Sequence, residues 1–136
     1  FDANVKGAFF QIQALLPLLN RGASIVLNGS INAHIGMANT SVYAASKAAQ
    51  IHVTKRTALQ LNRERIVVSA IAPGAFPTDM NRAARDEAEA TRQRIPAGRV
   101  GQPEDLAAAA IYLASRAGDY VVGETLVVDG GVTHAR

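Results

Sequence analysis

The stretch SVYAASKAAQ, residues 41–50, places a phenol at Tyr43 and an ammonium at Lys47, four positions apart. On a helix, residues i and i+4 share one face, so the two groups can approach each other. A free phenol titrates near ~10, and exchanging its proton near neutrality requires a neighbouring positive charge. One ammonium ~5 Å away contributes about 3 kcal/mol at an effective dielectric of ~20, which suits the pair to general acid/base work. Taken alone, Tyr-x-x-x-Lys is more simply a surface amphipathic pair, but its context argues otherwise. Ser30 stands thirteen positions before Tyr43, just past an apolar run, with Asn28 and Gly29 leading into it. Asn4 is a polar residue on an earlier helical segment with no turn role. Pro73 and Gly74 close a second apolar run, and Thr78 follows four residues after Gly74.

Those side chains need elements to hold them. Residues 2–19 carry apolar side chains at helical spacing, with Pro17 bending the last turn. Residues 23–27, ASIVL, are short, β-branched and apolar without alternation, the pattern of a buried parallel strand. A long helix is predicted over 41–62, announced by Asn39, Thr40 and Ser41, and a second buried strand over 66–71. Residues 78–94 read as a charged, mobile helical excursion. Pro103 then opens a helix running to about residue 114, and 124–131 form a third strand closed by a turn at Asp129, Gly130 and Gly131. This alternation predicts an α/β fold, a doubly wound parallel sheet of Rossmann type represented by three strands with flanking helices. Ser30 and Gly74 then lie past the C-terminal ends of strands, where such sheets place their chemistry. The first strand lacks the neighbour such a sheet normally gives it, so residues 1–136 alone are expected to be poorly stable or prone to aggregate.

The segments FDANVKG, SIVLNGS, YAASK, APGAFPTDM, GRVGQPEDLAAAAIYLAS and GETLVVDGG, in that order, resemble the short-chain dehydrogenase/reductase family over nearly the whole chain. The resemblance implies an oxidoreductase that interconverts an alcohol and a ketone or aldehyde with NAD or NADP. Tyr43 would be the general acid/base, and Ser30 the donor that orients and polarises the substrate carbonyl. Lys47 would favour the phenolate and bind the nicotinamide ribose, and Asn4 would hold a water in the proton relay behind it. Pro73, Gly74, Phe76 and Thr78 would join Tyr43 and Lys47 in facing the cofactor, Gly74 by letting main chain approach the nicotinamide. The resemblance also implies a homodimer or homotetramer, with the first helix and the long helix pairing across an interface.

Around the substrate, Ser30, Asn32, His34 and Tyr43 are the candidate contacts. His34 could shuttle a proton or be simply solvated, and Ile31, Asn32, Ala75 and Phe76 could border the pocket or serve as packing. Residues 80–96 would cover it, and their near-balanced charges favour neither acidic nor basic substrates. A 3-oxoacyl thioester reductase and a sugar or small-alcohol dehydrogenase are both open.

Some positions depart from the family pattern. Arg65 stands where a glycine usually ends the long helix, at an expected cost on the order of 1 kcal/mol if that residue is left-handed. Val67 and Ser69 stand where an arginine and an asparagine are common. No glycine-rich turn follows a strand and opens a helix, so no phosphate cradle is present, nor is an acidic or basic residue that would choose between NAD and NADP. The chain begins at Phe1 inside a helical pattern, and residues 1–136 are read as the C-terminal catalytic portion of one Rossmann-type domain, without its dinucleotide-binding half. The competing reading is a catalytically inactive fragment that retains only an assembly surface.

Composition narrows the alternatives. The formal charge of +3 is dispersed among interleaved acids and aromatics make up 5% of residues, so no basic patch or stacking platform for nucleic acid is expected. No apolar run approaches the ~20 residues that span a bilayer. The absence of cysteine excludes disulfides and thiolate metal sites, no metal site is expected, and a reducing cytoplasm is compatible with it.

Overall fold

The structure, a computed structural model, describes residues 1–135. Its centre is a parallel sheet in the order β1 (Ser24–Asn28), β2 (Val67–Pro73), β3 (Thr125–Val128). The register runs from Ser24 opposite Val67 to Asn28 opposite Ile71, and from Ala70 opposite Thr125 to Pro73 opposite Val128. All three strands therefore finish at one edge of the sheet. Central strand β2 buries its five inner residues, all but Ser69 apolar, as suits a strand covered on both faces.

Helix α1 (Ala8–Leu15) and helix α2 (Ser41–Leu61) cover one face, where Ala8, Ile12 and Leu61 pack toward Leu27, Ala58, Val68 and Ala70. The short helices α3 (Arg82–Asp86) and α4 (Ala88–Arg92) form the charged excursion. Helix α5 (Pro103–Ala114) covers the other face, where Ala109 and Leu113 meet Ile71 beside Val26 and Leu126. Pro103 takes the first helical position, and the Gln102 N–H donates to Asp105 Oδ2 at 2.8 Å. A third apolar cluster, Ile31, Ile95 and Val132, ties together the segments that leave the strand ends.

Several predicted elements are refined. The first helix is divided into a π-helical turn over Asp2–Gly7, α1, and a 3-10 turn over Leu16–Leu18 that contains Pro17. In the wide turn the Lys6 N–H reaches the Phe1 carbonyl at 3.2 Å, and a Cβ on Gly7 would lie 3.1 Å from the Asp2 carbonyl oxygen. Strand β1 extends to Asn28 and β2 to Pro73, while the excursion is two five-residue helices. Beyond α2, Arg65 adopts φ 58° and ψ 34°, the left-handed geometry anticipated at that corner. Gly130 and Gly131, at φ 66° and 95°, make the turn after β3.

Candidate active site

The N-terminal half of α2 reaches the end of β1 through Lys47 and Asn28, and both the π-helical turn and the 3-10 turn Ile31–Ala33 pack against the helix. Each element follows from local sequence. Gly29 continues the sheet pairing for one more residue, its N–H donating to the Ile71 carbonyl at 2.7 Å. Ser30 is then extended and caps the 3-10 turn, its Oγ accepting the Asn32 N–H at 3.2 Å. An acceptor role for Oγ leaves its proton available for a substrate oxygen.

Lys47 is buried at 7% exposure, and its Nζ donates to the Asn28 carbonyl at 2.6 Å and to Gln50 Oε1 at 3.1 Å. Burial lowers its pKa from the ordinary lysine value. The same Nζ lies 5.9 Å from the centre of the Tyr43 ring. Tyr43 itself is 38% exposed, so the phenol stands at the surface above an ammonium held in the interior. The pair thus shares one helix face, with the charge underneath and the group that would meet a ligand outside.

Asn4 joins this assembly through a side-chain bond to α2. Its Nδ2 donates to Ser46 Oγ at 3.0 Å, and the Ser46 hydroxyl donates to the Tyr43 carbonyl at 2.7 Å. The π-helical turn is thereby fastened to α2 one residue before Lys47. Ser46 and Gln50 were not singled out in the sequence. Their signal lay in helical spacing, since positions 43, 46, 47 and 50 follow the i, i+3, i+4, i+7 pattern of one face.

The remaining candidates are more dispersed. Asn32 is half-buried, while His34 is exposed. Ile31, 8% exposed, is a packing residue of the rim cluster. Pro73 ends β2, and a Cβ on Gly74 would fall 2.6 Å from Asp129 Cβ, so close approach to the β3 exit accounts for this glycine. Thr78 Oγ1 accepts the Asn81 N–H at 3.2 Å within an exposed turn, leaving its proton free to donate. The Phe76 ring packs on Gly101 and borders a cleft of about 430 Å³ with Arg99, Asp129 and His134. Tyr43 and Lys47 do not line that cleft. Burial opposes ionisation of Asp129 there, but the nearby Thr133 side chain, the N–H groups of Gly131 at 2.8 Å and Thr133 at 2.7 Å, and the charge of His134 together hold the carboxyl below its usual range. Asp129 is accounted for by this turn.

Among the described residues no group of His, Asp and Glu could hold a metal ion, and no helix is long and apolar enough to cross a membrane.

Parallel strands ending together, with helices on both faces, define an α/β protein of Rossmann type. The family profile described as Enoyl-(Acyl carrier protein) reductase matches residues 1–133, and the chain belongs to the short-chain dehydrogenase/reductase family. It is 44% identical over 115 residues to the 3-oxoacyl-[acyl-carrier-protein] reductase FabG of Chlamydia pneumoniae, covering 84% of this chain and 46% of that one. It is 39% identical over 137 residues to the L-rhamnose-1-dehydrogenase of Scheffersomyces stipitis, covering 96% and 53%. A gluconate 5-dehydrogenase from Burkholderia cenocepacia, solved in complex with NADP and tartrate, superposes with a TM-score of 0.90 at 38% identity, over 98% of this chain and 54% of that one. The chain thus spans about half the length of these relatives.

Proposed function

We propose that these residues are the catalytic portion of an NAD(P)(H)-dependent oxidoreductase that interconverts an alcohol and a ketone or aldehyde. The observation that carries this reading is the buried Lys47 ammonium, fixed by two acceptors below the exposed Tyr43 ring. Named activities of the relatives support it, since a 3-oxoacyl reductase and two sugar-type dehydrogenases all exchange a carbonyl for a carbinol.

The residues at the strand ends fit the nicotinamide and ribose end of a dinucleotide. Lys47 has three N–H donors and uses two within the chain, Tyr43 is exposed beside it, and Pro73, Gly74 and Thr78 border the end of β2. The ring of Phe76 is committed to Gly101. A bound nicotinamide supplies hydride exchange at the substrate carbon. Tyr43 gives or takes the proton at its Oη, Ser30 Oγ–H donates to the substrate oxygen, and Lys47 stabilises charge on the phenol oxygen as the proton leaves. Asn4 supports the same helix face through Ser46, and Asn32 and His34 flank the substrate side. The same reading takes the complete protein as a cytoplasmic homodimer or homotetramer. Replacing Tyr43→Phe in the complete protein should abolish turnover, by at least ~100-fold, while cofactor affinity by fluorescence titration is retained. Turnover near that of the unmodified protein would overturn the assignment.

The exposed apolar side chains of the first helix favour a second reading, an assembly fragment without catalysis. Cofactor titration of residues 1–136 separates the two: micromolar or tighter NAD(P) affinity contradicts the fragment reading, and its absence confines the activity to the complete protein.

A further inference from the structure

Gln50 is 7% exposed, and its side-chain oxygen is directed at Lys47 Nζ, 3.1 Å away. Its own main-chain carbonyl is occupied by Thr54 Oγ1 at 3.0 Å, and Thr54 is fully buried. Gln50 also lines the apolar cleft of about 340 Å³ between α1 and β1, a position where a leucine would pack without desolvating an amide. Burying a glutamine there is unfavourable unless its amide is bonded, and its partner is the ammonium. A buried ammonium has three protons and no acceptor of its own. The Asn28 carbonyl takes one at 2.6 Å.

We propose that Gln50 is a positioning residue for Lys47, taking the second proton so that Nζ is fixed in charged form and its third N–H is left for the side shared with Tyr43. This rests on the catalytic reading above. The titratable groups on the elements packed around Lys47 are Tyr43, His52, Lys55 and Arg56 on its own helix, Asp2 and Lys6 on the π-helical turn, and His34 after the 3-10 turn. None of these forms a hydrogen bond or ion pair with Nζ among the described residues, so neutral oxygens and not a carboxylate hold the charge. An uncharged acceptor stabilises the ammonium without cancelling the field it exerts on the phenol. A glutamate at position 50 would hold the ammonium more firmly and cancel part of that field.

The test uses the complete protein and the variants Gln50→Leu and Gln50→Glu. Lysine side chains labelled at Cε with carbon-13 are titrated by NMR without cofactor or substrate, the Lys47 resonance being assigned by its loss in Lys47→Met. Gln50→Leu should move the Lys47 midpoint to lower pH, draw the alkaline limb of kcat/KM down with it, and reduce kcat/KM about tenfold, as expected for one hydrogen bond to a charged group. Gln50→Glu should move the midpoint to higher pH and restore the alkaline limb. If both variants leave the Lys47 midpoint unchanged, or lower kcat uniformly with the pH limbs in place, the proposal is overturned. Absence of turnover in the unmodified protein would count against the catalytic reading alone, because the Lys47 titration is read without substrate.

Discussion

Helix α1, with the sequence AFFQIQAL, buries none of those residues fully, whereas the alanine-rich α2 buries seven, of which Ser46, Lys47, Gln50, Thr54 and Thr57 are polar. Phe9 and Phe10 meet edge to face with ring centres 5.5 Å apart, yet they remain 46% and 53% exposed. Leu15 and Leu18 are 43% and 75% exposed. Apolar composition on α1 therefore describes a surface suited to being covered, and polar burial on α2 describes a site. Most of the buried polar atoms of α2 are partnered: Ser46 by Asn4 and the Tyr43 carbonyl, Lys47 by Asn28 and Gln50, and Thr54 by the Gln50 carbonyl. That pattern is what makes polar burial tolerable, since each unpaired group would cost about 1–3 kcal/mol.

The sharpest way to break this contrast is to leave α1 uncovered. Residues 1–136 expressed alone should self-associate as concentration rises, because the α1 face and the neighbouring edge of β1 present a continuous apolar cleft lined by Ile12, Leu15, Leu19 and Ile25. Replacing Phe9, Phe10, Leu15 and Leu18 together by serine should suppress most of that association in sedimentation velocity. A monomeric, cooperatively unfolding chain before any substitution would show that α1 needs no cover. The opposite pole is α2, where Ala58 is 1% exposed against Leu27, Val68 and Ala70. Ala58→Leu in the complete protein should cost about 1–3 kcal/mol in urea unfolding through overpacking, and a neutral result would mean that this face has room.

A smaller effect sharpens the end of α2. Arg65 holds φ 58°, and a side chain in the left-handed region is strained where glycine is not. Arg65→Gly should stabilise the complete protein by roughly 0.5–1 kcal/mol, the relief of strain being partly offset by the larger entropy of glycine in the unfolded chain. A loss of stability would mean that the Arg65 side chain contributes more than its backbone costs.

The contrast also explains what was legible in the sequence. Three parallel strands could be read because each is a short apolar run without alternation, and the spacing of Ser30, Tyr43 and Lys47 survives in linear form. The roles of Ser46 and Gln50 could not be read with equal ease. They depend on tertiary contacts: Ser46 on the π-helical turn that brings Asn4 to it from forty-two residues away, and Gln50 on the placement of Lys47 under the Asn28 carbonyl, nineteen residues away. The contact of the Phe76 ring with Gly101, twenty-five positions further along the chain, is likewise a product of the fold that no linear pattern announces. The π-helical turn was hidden because its residues fit an ordinary helical pattern.

The smallest predicted effect lies on α5, whose start is fixed by an ion pair where α2 begins with no side-chain cap at Thr40. Arg99 donates to both oxygens of Asp105, at 2.6 and 2.9 Å, and the Gln102 N–H adds a third bond. The Arg99 hydrogen bonds first, and the Gln102 N–H second, bring the Asp105 pKa down from the ordinary 3.8 to about 2. A carboxyl whose folded pKa is depressed contributes stability that is fully present above its unfolded value and lost as pH falls through the folded one. Its contribution should therefore be constant at neutral pH, begin to fall at about pH 5, and be lost as pH drops through about 2. Asp105→Asn should lower stability above that window and flatten the acid limb of a stability profile within it. Because the pair is solvent-exposed, added salt should shrink the difference. An acid limb identical in the two proteins would mean that the start of α5 is held by Pro103 and the main chain, without help from the Arg99–Asp105 pair.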